Sequence, residues 1–134
     1  MDEDLRNSFI VDENPDDKRI EGYVKRLLPY CKTTKTGAII FNIQELKSLE
    51  KVKIFLVARY LANFLEPAIS NQIQLDEFAS FLNLPKDQVY SRLKDIRDEK
   101  FADILEDGAY KVKAQEISRL LDKLDEKYGK TKTR

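Results

Sequence analysis

Read for the spacing of its apolar positions, the chain opens with a polar arm and then alternates between helical and strand-like segments. Residues 1–16 are acidic and rich in Asn, Asp and Pro, with little to bury, and are expected to form a flexible or loosely docked arm. From Asp17 a helix start leads into Ile20, Tyr23, Val24, Leu27 and Leu28, a spacing of three and four that lines one helix face. Pro29 falls where that helix should end. Thr33 to Gly37 reads as a polar turn and Ala38 to Phe41 as a short strand. Residues 17–47 are therefore a helix–strand extension, too small to stand alone.

Ser48 is placed to cap a long helix reaching Leu65, with Pro67 beyond its stop. Its apolar residues, from Leu49 and Val52 through Ile54–Val57 to Tyr60, Leu61, Phe64 and Leu65, run nearly all the way round. Such a helix is covered on most sides, and the rest of the chain is expected to pack against it. Arg59 and Asn63 interrupt the stretch, and no run of about 18 apolar residues exists to span a membrane.

A short strand-like segment, Gln72 to Leu75, precedes the most informative tract. Asp76 is read as the cap of a short helix with Phe78, Ala79 and Leu82 facing inward. Asn83 suits a left-handed turn, Leu84 plugs it, and Pro85 begins a second helix whose dipole Asp87 complements. Val89, Leu93 and Ile96 form the buried stripe of that helix. Beyond Phe101, alternating residues flank Asp107-Gly108, a two-residue hairpin signal. Further on, Ile117, Leu120, Leu121, Leu124 and Tyr128 make one stripe of a C-terminal helix over 114–128. It either pairs with its copy or folds back on the long helix, and dimerisation through Ile117, Leu120, Leu121 and Leu124 is the favoured expectation.

The order of helix, short strand, two helices across a tight turn, then hairpin resembles the winged helix-turn-helix domains of small archaeal and bacterial transcription factors. The resemblance covers residues 48–113 and specifies a fold rather than one family. The fold class it implies is mainly α with a small β-hairpin wing (α+β), preceded by the helix–strand extension and followed by the C-terminal helix. It also implies that helix 85–100 enters the major groove of double-stranded DNA, or meets RNA. Once the buried stripe is removed, Lys86, Gln88, Tyr90, Ser91, Arg92 and Lys94 remain for base and phosphate contact. Lys111 and Lys113 alternate with Tyr110 and Val112, which puts both amines on one face of the wing strand.

Charge sharpens this picture and complicates it. The formal net charge is zero, so the protein does not coat DNA by charge alone. Residues 1–17 hold seven acids and one base, whereas residues 18–35 hold six bases and one acid. The segment 86–113 holds seven bases and seven acids, where a DNA reader usually has a surplus of positive charge. A winged helix serving as a protein or ribonucleoprotein adaptor, without DNA readout, is therefore the alternative to a transcriptional regulator. The tail 129–134 is basic, is expected to be flexible, and could touch phosphate.

Chemistry finds little support in the sequence. With no His and a single Cys31, neither a usual zinc site nor a Ser–His or Cys–His pair can be assembled. Gly129-Lys130-Thr131 ends like a phosphate loop, but Leu124 stands where its first Gly belongs. The acids of the arm lack calcium-loop spacing. The chain is read as a non-enzyme without cofactor, metal or small-molecule substrate. The lone Cys and an opening Met-Asp-Glu-Asp without signal-peptide character lead us to expect a cytoplasmic protein. Abundant Lys, Ile and Glu without His or Trp suit a thermophilic archaeal origin.

Overall fold

The computed structural model describes residues 2–10 and 15–132, with side chains as far as Gly129. Its elements are α1 (Glu3–Phe9), α2 (Asp17–Leu27), β1 (Cys31–Thr33), β2 (Ile39–Phe41), α3 (Ser48–Leu65), α4 (Leu75–Leu82), α5 (Lys86–Asp98), β3 (Ala102–Ile104), β4 (Tyr110–Val112), a 3-10 turn (Ala114–Glu116) and α6 (Ile117–Lys132). The result is an α+β fold in which two antiparallel hairpins, β1–β2 and β3–β4, flank a helical body. No helix among the described residues is long and apolar enough to cross a membrane.

The all-round apolar pattern of α3 has the expected consequence. Val52, Ile54, Phe55, Leu56, Val57, Ala58, Tyr60, Leu61 and Ala62 are all buried. One contiguous cluster of buried side chains runs from Ile20 in α2 to Tyr128 in α6, with α3 at its centre. Edge-to-face contacts link Phe81 and Phe78 to Phe55, and Phe78 in turn to Tyr110, so α4 and the second hairpin are tied to α3 through aromatic rings. Val89, Leu93 and Ile96 of α5 are buried as their spacing requires.

Several local expectations shift. The arm is not wholly irregular: α1 is a seven-residue helix whose cap, Asp2, accepts from Asp4 N–H, although it buries nothing. Residues 11–14 of the arm lie outside the described residues. Lys47 rather than Ser48 caps α3, its N–H donating to the Glu50 carboxylate at 2.8 Å. Gln74 rather than Asp76 caps α4, with Glu77 reaching back to the Gln74 N–H at 2.9 Å. In both cases the glutamate at the third helical position satisfies the cap's donor, so a hydroxyl or aspartate at the cap is not needed. Ile73 forms a two-bond bridge with Tyr110 in place of a strand, which puts β4 between Ile73 and β3.

Asp107-Gly108 is not itself the two-residue loop. Gly108 N–H donates to Leu105 O, which makes Glu106 and Asp107 the central turn residues, and Gly108 follows in the left-handed region at φ +86°. Leu105 N–H then donates to Ala109 O, the pattern of a type I turn closed by a glycine bulge. The first hairpin repeats this arrangement, with Gly37 N–H donating to Thr34 O and Thr34 N–H to Ala38 O. Its strand β1 has no counterpart in the periodicity reading, because three residues are too few to show alternation.

The C-terminal helix brings the main correction. Ile117, Leu120, Leu121 and Leu124 are at most 5% exposed within a single chain, so they are not a dimerisation surface. The stripe packs instead on α2 and α3, and polar ties close each side of it. Arg26 donates to Asp122 and Asp125 at 2.8 and 2.9 Å, and the buried Tyr30 hydroxyl donates to Asp125 at 2.7 Å. Glu50 accepts from Tyr128 at 2.6 Å and from Lys127 at 2.9 Å. Burial pushes the Glu50 carboxyl up, but these bonds and that from the Lys47 backbone outweigh it and hold it below the usual 4.5. The helix also continues through the expected tail as far as Lys132. A stripe with enough buried partners in its own chain has no area left to offer a second one.

Three outcomes are expected. In urea unfolding, Leu93→Ala and Leu121→Ala should each cost about 2–5 kcal/mol as core truncations, and a loss below about 1 kcal/mol would place the residue outside the core. Arg59→Met should cost about 3–5 kcal/mol by stranding Glu77, to which the Arg59 guanidinium is paired at 2.5 Å. Adding Glu77→Gln should recover part of that loss, and strict additivity would argue against the pairing. Burial first, and then the bond to Asp125, raise the Tyr30 phenol far above its ordinary 10.0. Below that value both folded and unfolded chains hold the proton, and the contribution is fully present. As pH rises beyond it the unfolded chain ionises first, so stability should fall, and Tyr30→Phe should flatten this alkaline slope in thermal melts.

Candidate nucleic-acid interface

The sequence-derived helix set, with its mixed cationic, amide and aromatic character, belongs to α5. It begins after Asn83, which adopts the left-handed conformation (φ 55°, ψ 45°), and Pro85 stands at the cap. Leu84 is half-buried against the core, so the turn between α4 and α5 is pinned from beneath. A helix turns about 100° per residue, so a stripe at Val89, Leu93 and Ile96 puts Asp87, Ser91, Lys94 and Asp98 on the opposite line. All four are exposed. Lys86, Tyr90 and Arg97 follow one flank, and Gln88, Arg92, Asp95 and Glu99 follow the other.

Lys86, Gln88, Ser91 and Lys94 are thus free of the core, and Tyr90 is 53% exposed despite its size. Lys86 and Tyr90 come together at a shallow cleft shared with Leu75, Asp76 and Ala79 of α4. Arg92, expected with the others on the exposed face, is the one that departs from it. Three positions after Val89 and one before Leu93, it lies beside the stripe, and its side chain is only 33% exposed. Its Nε stands 3.1 Å from an Asp95 carboxylate oxygen, close enough for an ion pair, but without hydrogen-bond geometry. The Nε is itself buried and otherwise unsatisfied.

Lys111 in β4 and Lys113, which follows β4 and caps the 3-10 turn, are both half-buried, and they alternate with the buried Tyr110 and Val112. Acids and α3 temper both. Asp103 faces Lys111 across the ladder and lies 3.9 Å from the Lys113 ammonium. The Lys111 ammonium lies 6.0 Å from the centroid of the Tyr60 ring. With Tyr60, Ala114 and Gln115, these residues line an open polar groove of about 290 Å³. Burial, and then the proximity of Tyr23, raise the Tyr60 phenol, which keeps it neutral at ordinary pH. Among the described residues no hydrogen bond or ion pair joins the α5 set to Lys111 and Lys113. They form separate patches, one on a helix and one on a hairpin.

Arg97, on the flank of Lys86 and Tyr90, belongs to the same surface and is absent from the sequence-derived set; helical spacing from Tyr90 was sufficient to find it. Tyr60, Asp103 and Gln115 had no such signal, because only tertiary packing brings them beside the β4 lysines. Among the described residues no group of three or more Cys, Asp or Glu is arranged to hold a metal ion. Comparison of the chain with family models, with curated proteins and with solved structures gives no match.

Proposed function

We propose that α3, the Ile73 bridge, α4, α5 and the β3–β4 hairpin together form a winged helix-turn-helix, and that the protein is a transcriptional regulator contacting double-stranded DNA through α5. The observation that carries this reading is the disposition of α5. Its apolar stripe is spent on the core, while Lys86, Gln88, Tyr90, Ser91 and Lys94 stand outward after the left-handed turn at Asn83. In this fold the N-terminal half of the second helix meets base edges. Gln88 can pair bidentately with adenine, and Lys86 or Lys94 can donate to guanine or to phosphate. Tyr90 offers an apolar face to a thymine methyl and a hydroxyl to phosphate.

Asp87 and Asp98 on the outermost line repel phosphate, so affinity here comes from matched contacts rather than from charge. Asp87 has one favourable partner in the groove, the cytosine amino group. Arg92, beside the stripe and close to Asp95, serves the backbone rather than a base edge. The hairpin lysines supply a second phosphate contact, weakened by Asp103. The same balance of charge favours the adaptor reading, in which α5 meets protein instead.

Selection from random duplexes at low salt, followed by anisotropy titration, tests the proposal. On the selected site, Gln88→Ala should cost about 1–3 kcal/mol and flatten preference among sequences. Lys111→Ala should weaken all duplexes alike and lower the salt slope by roughly one unit. If wild type retains neither duplex DNA nor RNA at low salt, the reader is refuted and the adaptor takes its place.

A further inference from the structure

Nine large apolar side chains remain exposed on the described residues, and five of them belong to just two surfaces. Leu5, Phe9 and Ile10 are 63%, 88% and 63% exposed on and just beyond α1, which has no buried residue of its own. Leu5 and Phe9 are four apart and so share one face of that helix. Leu28 and Leu65 line an apolar groove of about 360 Å³ between α2, β1 and α3, with Leu27, Ala58, Leu61 and Ile69. We infer that α1 of one chain seats Leu5, Phe9 and Ile10 in the α2–β1–α3 groove of a second copy, and that the exchange is reciprocal.

Three observations favour this occupant. A helix of seven residues has little stability by itself, and in the single chain α1 gains none from burial. The charges are opposite in sign: α1 with its cap carries three acids (Asp2, Glu3, Asp4) against Arg6, while α2 and β1 carry five bases against Asp17 and Glu21. Lys32 and Glu66 are the two charged residues in the lining of the groove itself, so the excess of positive charge lies on α2 around it. Finally, the α6 stripe is consumed within its own chain, which leaves these two surfaces as complementary apolar faces. Three large side chains per arm, inserted twice, bury on the order of 1,000 Å² with the groove walls, the size of a weak, reversible interface. Reciprocal exchange satisfies a two-fold axis and closes the assembly.

Sedimentation equilibrium of the full chain from about 1 to 100 μM is expected to show a monomer–dimer equilibrium. Phe9→Asp and Leu65→Asp should each weaken it by roughly tenfold or more. Both positions are exposed in the single chain, so circular dichroism and thermal melting should report unchanged monomers. An equimolar mixture of the two variants restores one intact arm and one intact groove, and should dimerise more strongly than either variant alone. Because the chain has no Trp, a Phe9→Trp variant reports seating by a blue-shifted emission that grows with concentration. A wild type that stays monomeric throughout overturns the inference, as does a dimer indifferent to both aspartates. A blue shift independent of concentration also overturns it, since the arm then occupies its own groove.

Discussion

The structure hangs on one buried cation. Arg59 lies in the middle of the most apolar helix, at 2% exposure, where an unpaired charge would be prohibitively costly. Each nitrogen of its guanidinium is used: Nε donates to Gly37 O at 2.6 Å, Nη1 to the carbonyls of Ser70 and Gln72, and Nη2 to Glu77. Phe55 and Phe81 lie 5.4 and 5.9 Å from its centre, so rings cover the group that the carbonyls encircle. Four segments distant in sequence are thereby held to α3 or positioned by it: the first hairpin, residues 70–72, α4 and, through α4, α5. Gly37 shows how tight the fit is. It sits at φ +88°, and a Cβ there would fall 2.7 Å from the guanidinium. No other residue meets both constraints.

Glu77 carries this constraint toward the candidate interface. One carboxylate oxygen accepts from Arg59 while the other accepts from the Gln74 N–H that begins α4. The start of α4 is thus tied to the core by a charge as well as by Phe78 and Leu82. Asn83 then turns the chain and Pro85 starts α5, so the direction of the outward face follows from a network built beneath it. A face held in this way suits recognition by matched contacts, because little order remains to be lost on binding. Acids and bases are mixed on this face, so a misplaced charge against it is penalised more than any one sign is attracted.

A second polar group closes the far side. Asp125 collects Arg26 and Tyr30 from the N-terminal extension, while Glu50 collects Lys127 and Tyr128 from α6. The edge-to-face contact of Tyr30 with Tyr128 joins the two groups. The extension and the C-terminal helix are therefore integral to the core rather than appendages to it. Neither could keep its apolar face covered if the other were removed.

Periodicity alone was enough to find α2, α3, α4 and α5 and the second hairpin, because apolar spacing of three and four or of two reports which face must be buried. It also identified Val89, Leu93 and Ile96, and by subtraction most of the exposed set on α5. Asn83 was legible for a local reason, the rarity of residues that tolerate positive φ. Arg59 stood out as an interruption, yet nothing in its neighbours named Gly37, Ser70, Gln72 or Glu77 as its partners. Arg92 was misplaced because its charge suggested solvent, whereas its angle on the helix puts it beside Leu93. The destination of the α6 stripe could not be read either. A sequence states that a face must be covered, because that is a property of the face. Which surface covers it depends on how competing surfaces fit and where their charges meet, and only the folded chain decided that.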